Sequence, residues 1–113
     1  PVLIGTGAFD GDEGEPANRT KAFELLAPSE GETNRFMIFI DDPGAVHTLF
    51  SADLDSCAKI SGEARCKEMR SWLYSAALAF LDDALMQLPE AGLWLREGDS
   101  STHINEDVSW SQK

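Results

Sequence analysis

His47 is one of only two histidines in the chain, and it closely follows a run of apolar residues that predicts a buried strand. The run is FMIFI (36–40), and the histidine lies in the segment DDPGAVHTLF (41–50) that comes next. Ligand sites in open parallel sheets lie at the carboxyl ends of the strands, and an imidazole displayed there is a candidate general base. The alternative is a histidine in an ordinary turn. The buried strand and the Gly44-Ala45 pair before His47 favour the catalytic interpretation.

Cys57 and Cys66 are the only cysteines in the chain, and they lie nine residues apart in CAKISGEARC. This spacing predicts a local disulfide that pins a surface loop between loop-like flanks. Such a bridge would favour a secreted or periplasmic protein, because disulfides persist in oxidising compartments. The alternative is a pair of reduced thiols, one of them on a helix. A zinc site is not expected, since no nearby histidine or second cysteine pair completes a set of four ligands.

The acidic segment TGAFDGDEGEP (6–16) has the composition of a loop and invites comparison with a calcium site. An EF-hand loop that began at Asp10 would need an oxygen ligand at its fifth position, glycine at its sixth and glutamate at its twelfth. Those positions hold Gly14, Glu15 and Lys21, so the pattern fails. The sequence predicts neither a metal nor a cofactor.

The net charge of the chain disfavours two classes of partner. The 113 residues are enough for one domain, with 20 acidic and 9 basic side chains and a net charge of −11. This sign disfavours nucleic acids and anionic membrane surfaces, because both are bound through Lys and Arg. No apolar stretch approaches the roughly 18 residues of a membrane span. The chain begins at Pro1 without an initiator Met, as a processed chain or a fragment of a longer one would.

The first half of the chain predicts two strands with a helix between them. Residues 1–5 (PVLIG) and 36–40 are short apolar runs without alternation, which is typical of strands that are covered on both faces. The helix is expected over about residues 16–27, where it ends before Pro28.

The strongest helix signal covers residues 66–88 and ends before Pro89. Apolar residues recur there at i, i+3, i+4 and i+7, which predicts a long amphipathic helix that lies on a sheet. They are Met69, Trp72, Leu73, Ala76, Ala77, Phe80, Leu81, Ala84, Leu85 and Leu88. The segment EAGLWL (90–95) is interpreted as one further helical turn. The residues beyond Arg96 are interpreted as a loosely held polar tail.

The predicted order is strand-helix-strand-helix, an α/β arrangement in which the two strands are parallel neighbours in a right-handed crossover. Both strands have the composition of interior strands, yet the sequence offers only two. Two strands with one crossover helix leave sheet edges and faces unsatisfied. Further chain, another subunit or a swapped copy must supply the missing neighbours, so the chain has the character of the end of a larger α/β sheet.

Four segments in this order resemble the carboxy-terminal part of an α/β-hydrolase. They are PVLIGTGAFDG, NRTKAFELL, RFMIFIDDPGAVHTLF and LAFLDDALMQLPEAGLWL. The resemblance is nearest to the dienelactone-hydrolase-like esterase and lipase branch. It implies that residues 1–95 form the carboxy-terminal strand-helix-strand-helix portion of the hydrolase parallel sheet, and it leaves residues 96–113 as a polar tail.

The resemblance also implies roles for individual residues. In the family, a Gly-x-x-Asp turn supplies the acid of a catalytic triad and a Gly-Ala-x-His segment supplies its histidine. GAFD then places the acid at Asp10, and GAVH places the base at His47, with Phe50 as the following aromatic residue. Asp12 is an alternative acid. An acid and an imidazole on neighbouring parallel strands are within reach of each other, because such strands lie about 4.8 Å apart.

The chain departs from the family pattern in one respect, because no Gly-x-Ser-x-Gly elbow occurs in it. Ser61, between the cysteines, and Ser100, in the polar tail, are the near candidates, but neither has the context of a strand-to-helix elbow. In GDSSTH, Ser100 and Ser101 come close to His103, but a flexible tail does not hold them in attack geometry. The family's nucleophilic serine and oxyanion donors come earlier in the chain than the acid and the histidine.

The resemblance therefore implies a segment of a carboxyl-ester hydrolase that acts on a small ester by acyl transfer to water. It contributes Asp10 and His47, and the remainder of the hydrolase is expected in a companion chain or a second subunit. This chain alone is not expected to be an active enzyme. The alternative is a non-catalytic acidic α/β domain that acts through protein-protein contacts or self-association.

Overall fold

The two strands expected from the sequence are parallel neighbours. Strand β1 (Val2–Gly7) pairs with β2 (Arg35–Ile40) over six residues, and helix α1 (Ala17–Leu25) lies between them in the chain. The fold is seen in a computed structural model that describes residues 1–9, 17–51, 53–96 and 107–113. The protein is a mixed α/β structure, and the predicted adjacency of the two apolar runs is confirmed.

A third strand lies on the other side of β2. Strand β3 (Val108–Gln112) is antiparallel to β2 and completes the sheet order β1-β2-β3. The prediction of a loosely held polar tail and of only two strands was therefore wrong for these residues. Trp110 explains the difference, because its ring stacks on Phe36 at 5.6 Å and its indole N–H donates to the Leu95 carbonyl at 3.2 Å. Packing of Trp110 and of Val108 against the core holds a strand whose other residues are polar.

The predicted helix over residues 66–88 is divided differently in the structure. Helix α2 (Asp55–Ser61) is followed by α3 (Glu63–Leu81), and a single π-helical stretch (Asp82–Met86) continues α3. Gln87, with a left-handed φ of 53°, ends it. Helix α4 (Pro89–Arg96) has proline at its first position, where the missing N–H costs no hydrogen bond. Among the described residues, no helix has the length and apolar character needed to cross a membrane.

Helix α3 covers one face of the sheet with the first part of its apolar stripe. Met69 and Ala76 are fully buried, and they pack near Ile40 and Ile38 of β2. The later positions of the predicted stripe are exposed: Leu81 at 49%, Leu85 at 73% and Leu88 at 42%. The described sheet therefore accounts for only part of the amphipathic pattern.

The predicted disulfide is formed. Cys57 of α2 and Cys66 of α3 are bonded, with their Cα atoms 6.0 Å apart. Both residues are fully buried, and the chain between them is the end of one helix, Gly62 and the start of the next. The expected surface loop with loop-like flanks was wrong, because the bridge instead joins two helices in the core.

Candidate functional site

The loops that follow β1 and β2 run side by side at the carboxyl edge of the parallel pair. Phe9 and Val46 form an isolated parallel bridge, and the Phe9 N–H donates to the Ala45 carbonyl at 3.2 Å. The residue before Asp10 and the residue before His47 are thus direct neighbours. Asp10 itself, the alternative acid Asp12 and the loop considered for calcium lie outside the described residues.

Small residues allow the two loops to approach this closely. A Cβ atom on Gly7 would lie 2.4 Å from the Ala45 Cβ and 2.7 Å from the Ala45 carbonyl oxygen. Both distances are below van der Waals contact, so no side chain fits at position 7 without movement of the backbone. The glycine of GAFD is therefore required by packing against the alanine of GAVH, whatever its part in chemistry.

His47 is displayed towards solvent from a short, anchored element. It is the first residue of a 3-10 helix (His47–Phe50), and the extended Val46 precedes it. Leu49, 1% exposed, and the half-buried Phe50 fix this helix to the apolar core. His47 itself is exposed. The local structure thus presents the imidazole while neighbouring side chains hold the backbone beneath it.

The turn between β2 and His47 is organised around the carboxylate of Asp42. The Asp42 Oδ1 accepts a hydrogen bond from the Gly44 N–H at 2.8 Å. The backbone carbonyl of Asp42 accepts another from the Ala45 N–H at 2.9 Å. Aspartate commonly bonds to the backbone two residues on, and the Pro-Gly pair that follows favours a turn. Asp42 is only 9% exposed, so this turn belongs to the interior rather than to a solvent loop.

Two helices also donate to this carboxylate. The Ser61 hydroxyl donates to Asp42 Oδ1 at 2.6 Å, and Arg65 Nε donates to Oδ2 at 3.0 Å. Arg65 also bonds Asp107, the residue before β3, and its guanidinium lies 5.1 Å from the centre of the Trp72 ring. We refer to Asp42, Ser61, Arg65 and Asp107 as the Asp42 network. Its hydrogen bonds connect the end of β2 with the end of α2, the start of α3 and the residue before β3.

The electrostatics of the network favour the charged forms. Burial alone raises the pKa of Asp42, but the hydrogen bonds from Ser61, Gly44 and Arg65, with the charge of Arg65, bring that pKa below its ordinary value. Burial alone lowers the pKa of Arg65, and its carboxylate partners Asp42, Glu68 and Asp107 raise it above its ordinary value. Both shifts favour a charged Asp42 and a charged Arg65 across the neutral pH range.

The disulfide packs directly against the turn that contains Gly44. A Cβ on Gly44 would lie 2.4 Å from the Ser61 Oγ and 3.0 Å from the Cys57 Sγ. The turn thus rests directly on the end of α2, and the bridge holds that end against α3. Position 44 must be glycine for this contact, so both residues of the Gly44-Ala45 pair have a packing role.

The structure changes the interpretation of the serine candidates. The Ser61 hydroxyl is engaged by the Asp42 carboxylate, which makes it a structural donor rather than a nucleophile. Ser100, Ser101 and His103 lie outside the described residues. Sequence reasoning did not single out Asp42, Arg65 or Asp107. The Asp-Pro-Gly turn was a usable signal for Asp42, but nothing local connects Asp42 with an arginine 23 residues away.

A cleft lies at the opposite, amino-terminal end of the parallel strands. Its volume is about 760 Å³, and Glu30, Glu32, Asp83 and Arg96 contribute its charged lining. Arg96 is held there by Asp83 and by the Thr33 carbonyl at 2.7 Å. Within the described ranges, no group of three or more His, Cys, Asp or Glu side chains is arranged to hold a metal. The edge that carries His47 is the candidate site because the two strand-end loops meet there, at the Phe9–Val46 bridge.

Comparisons of the chain with protein-family models, with curated proteins and with solved structures each found no match. The likeness to α/β-hydrolases accordingly rests on the sequence motifs.

Proposed function

We propose that this chain is the part of a carboxyl-ester hydrolase that contributes Asp10 and His47 to a Ser-His-Asp triad, with the nucleophilic serine outside the chain. The observation that carries the proposal is the Phe9–Val46 bridge, because it sets the backbone leading to the acid beside the backbone leading to the histidine. A triad needs this adjacency, since the acid must reach the imidazole nitrogen that faces away from the serine.

The roles of the two residues follow from proton transfer. The Asp10 carboxylate would accept a hydrogen bond from Nδ1–H of His47, which leaves Nε2 free of its proton and oriented towards the serine. Nε2 takes the serine proton as the serine oxygen attacks the ester carbonyl, and it returns that proton to the departing alcohol. Water then repeats the sequence on the acyl-serine, so the ester is converted to an acid and an alcohol with no cofactor.

The free edge of β1 supports the need for a further polypeptide. Among the described strands, β1 pairs only with β2, so no described strand pairs with the backbone groups along its other edge. Its sequence, VLIGTG, contains no proline or charged residue, and these are the usual protection of exposed edges. A companion chain or second subunit that adds a strand there would also bring its own residues to the edge near His47.

The disulfide bears on the compartment of the proposed enzyme. A buried bridge between α2 and α3 persists in an oxidising environment, which favours a secreted or periplasmic protein.

The test compares the two histidines in the native protein that contains this chain. We expect His47→Gln to lower kcat for a short-chain p-nitrophenyl ester by about 10³- to 10⁴-fold with little change in KM. We expect Asp10→Asn to lower it to a similar extent, because the wrong imidazole tautomer is then favoured. His103→Gln is the matched control and should leave kcat unchanged. A fluorophosphonate should label one serine, on a polypeptide continuous with this chain or bound to it.

Two results would contradict the proposal. One is ester hydrolysis that survives His47→Gln as well as it survives His103→Gln. The other is native material in which the chain occurs alone and no serine reacts with the fluorophosphonate.

The exposed apolar side chains favour a second candidate function, that of an acidic domain acting through protein contacts. Leu85, Met86 and Leu93 are 73%, 66% and 52% exposed around the end of α3 and the start of α4. Substitution of Leu85 and Met86 by Ser separates the two functions. Loss of binding to a partner protein or to a second copy, with unchanged ester hydrolysis in the native protein, would support the contact function of this surface. Hydrolysis that is lost through His47→Gln would support the triad.

A further inference from the structure

The Asp42 network is a built structure next to His47 that the proposed chemistry does not use. Buried carboxylates are costly unless they are paired and hydrogen-bonded. The carboxylate of Asp42 meets that requirement with three donors: the Gly44 N–H at 2.8 Å, the Ser61 hydroxyl at 2.6 Å and Arg65 Nε at 3.0 Å.

The donors come from separate parts of the fold. Gly44 belongs to the turn, Ser61 ends α2 and Arg65 lies in the first turn of α3. Arg65 extends the connection to Asp107, whose backbone carbonyl accepts a hydrogen bond from the Asp41 N–H at 2.7 Å. The segment from Asp41 to Ala45 is therefore fixed to two helices and to the approach of β3. It is the segment that leads directly to His47.

We propose that Asp42 is a positioning residue for His47, because its carboxylate fixes the 42–46 turn to α2 and α3 and so sets where the imidazole stands beside the Phe9 strand end. The catalytic meaning of this role rests on the triad proposed above. The structural role does not, since it concerns the conformation of the turn in this chain alone.

Position matters at such a site because proton transfer requires hydrogen-bond distance. A displacement of about 1 Å of a catalytic group can lower a rate by about 100-fold. Without its carboxylate, the turn would keep the Ala45 N–H bond to the Asp42 carbonyl but lose its attachments to Ser61 and Arg65. The Pro43-Gly44 pair would then be held to α2 by packing alone, and the backbone that leads to His47 would be less tightly fixed.

The first part of the test uses the native protein that contains this chain and needs no activity. Asp42→Ala should raise the amide hydrogen-exchange rates of Gly44, Ala45 and Val46 by at least tenfold and broaden the His47 ring resonances. Asp42→Asn keeps an oxygen for the Gly44 N–H and should show a smaller increase. Asp41→Asn is the matched control, because this neighbouring residue is exposed, and it should leave the exchange rates unchanged. If Asp42→Ala does not fold, Ser61→Ala removes one donor and should loosen the same amides.

The second part measures ester hydrolysis by the native protein. Asp42→Ala should lower kcat by about 10- to 100-fold with KM unchanged, and Asp42→Asn should restore part of the loss. A smaller folded fraction also lowers Vmax with KM unchanged, so kcat is expressed per folded molecule, with the folded fraction taken from urea denaturation. A purely structural role would then leave kcat unchanged.

Each outcome decides one of the two proposals. Unchanged exchange at residues 44–46 in Asp42→Ala overturns the positioning role. So does an unchanged kcat in a protein whose activity depends on His47. Loosened amides in a protein in which His47→Gln has no effect on hydrolysis support the positioning of His47 and refute the triad.

Discussion

Gly7 and Ala45 are in direct contact across the two strand ends, since a Cβ on Gly7 would lie 2.4 Å from the Ala45 Cβ. The parallel pairing of β1 with β2 and the bridge from Phe9 to Val46 bring the two residues together. The loops that lead to Asp10 and His47 are thus packed against each other before any question of chemistry arises.

Substitution of Gly7 by alanine should therefore destabilise the fold. The added methyl group overpacks against the Ala45 backbone, and overpacking in a filled interior typically costs about 1–3 kcal/mol. The measurement is the free energy of unfolding from urea denaturation. Gly5→Ala is the matched control in the same strand, because its Cβ would meet only side-chain atoms, the nearest at 3.4 Å. Equal stability of the two variants would contradict the close contact at position 7.

Removal of the disulfide should lower stability to a predictable extent. The bridge closes a loop of nine residues, for which chain entropy gives about 2–3 kcal/mol. We expect Cys57→Ala/Cys66→Ala to lose at least this amount in urea denaturation, since both sites are buried. Dithiothreitol should destabilise the native chain and leave the double variant unaffected. A native chain that is equally stable with and without reductant would refute a structural role for the bridge.

Acidification should remove the stabilising contribution of Asp42. Burial raises its pKa, but hydrogen bonds from Ser61, Gly44 and Arg65 lower it by more, so the folded-state pKa lies below the unfolded value of about 3.9. A group of this kind stabilises the folded state fully above its unfolded-state pKa and loses that contribution as the pH falls through its folded-state pKa. The native chain should therefore be more stable than Asp42→Asn at neutral pH, and the gap should narrow below about pH 4. Urea denaturation at a series of pH values measures the gap, and a gap that stays constant or widens on acidification would contradict the lowered pKa.

The parallel strand pair and the disulfide could be predicted from local patterns in the sequence. The apolar runs at 1–5 and 36–40 predicted a parallel pair, because unbroken apolar strands separated by a helix have few other arrangements. The spacing of the two cysteines predicted their bridge, which the structure contains. The Gly-Ala pair before His47 was recognised as a signal, although its physical reason, the contact of Ala45 with position 7 and of Gly44 with Ser61, became visible only in three dimensions.

Contacts between distant residues account for what the sequence did not reveal. Val108–Gln112 has the composition of a solvated tail, and it becomes a strand because Trp110 stacks on Phe36 and pairs edge-on with Trp94 at 6.1 Å. The Asp42 network likewise joins side chains whose separation in the chain leaves no periodic trace. Local propensity and hydrophobic period act over a few residues, whereas an ion pair or a ring stack forms wherever the completed fold brings its members together. The pattern of residues therefore determines the strand pair and the bridge, and the packing of that pair with its helices selects the partners of Asp42 and the place of the last strand.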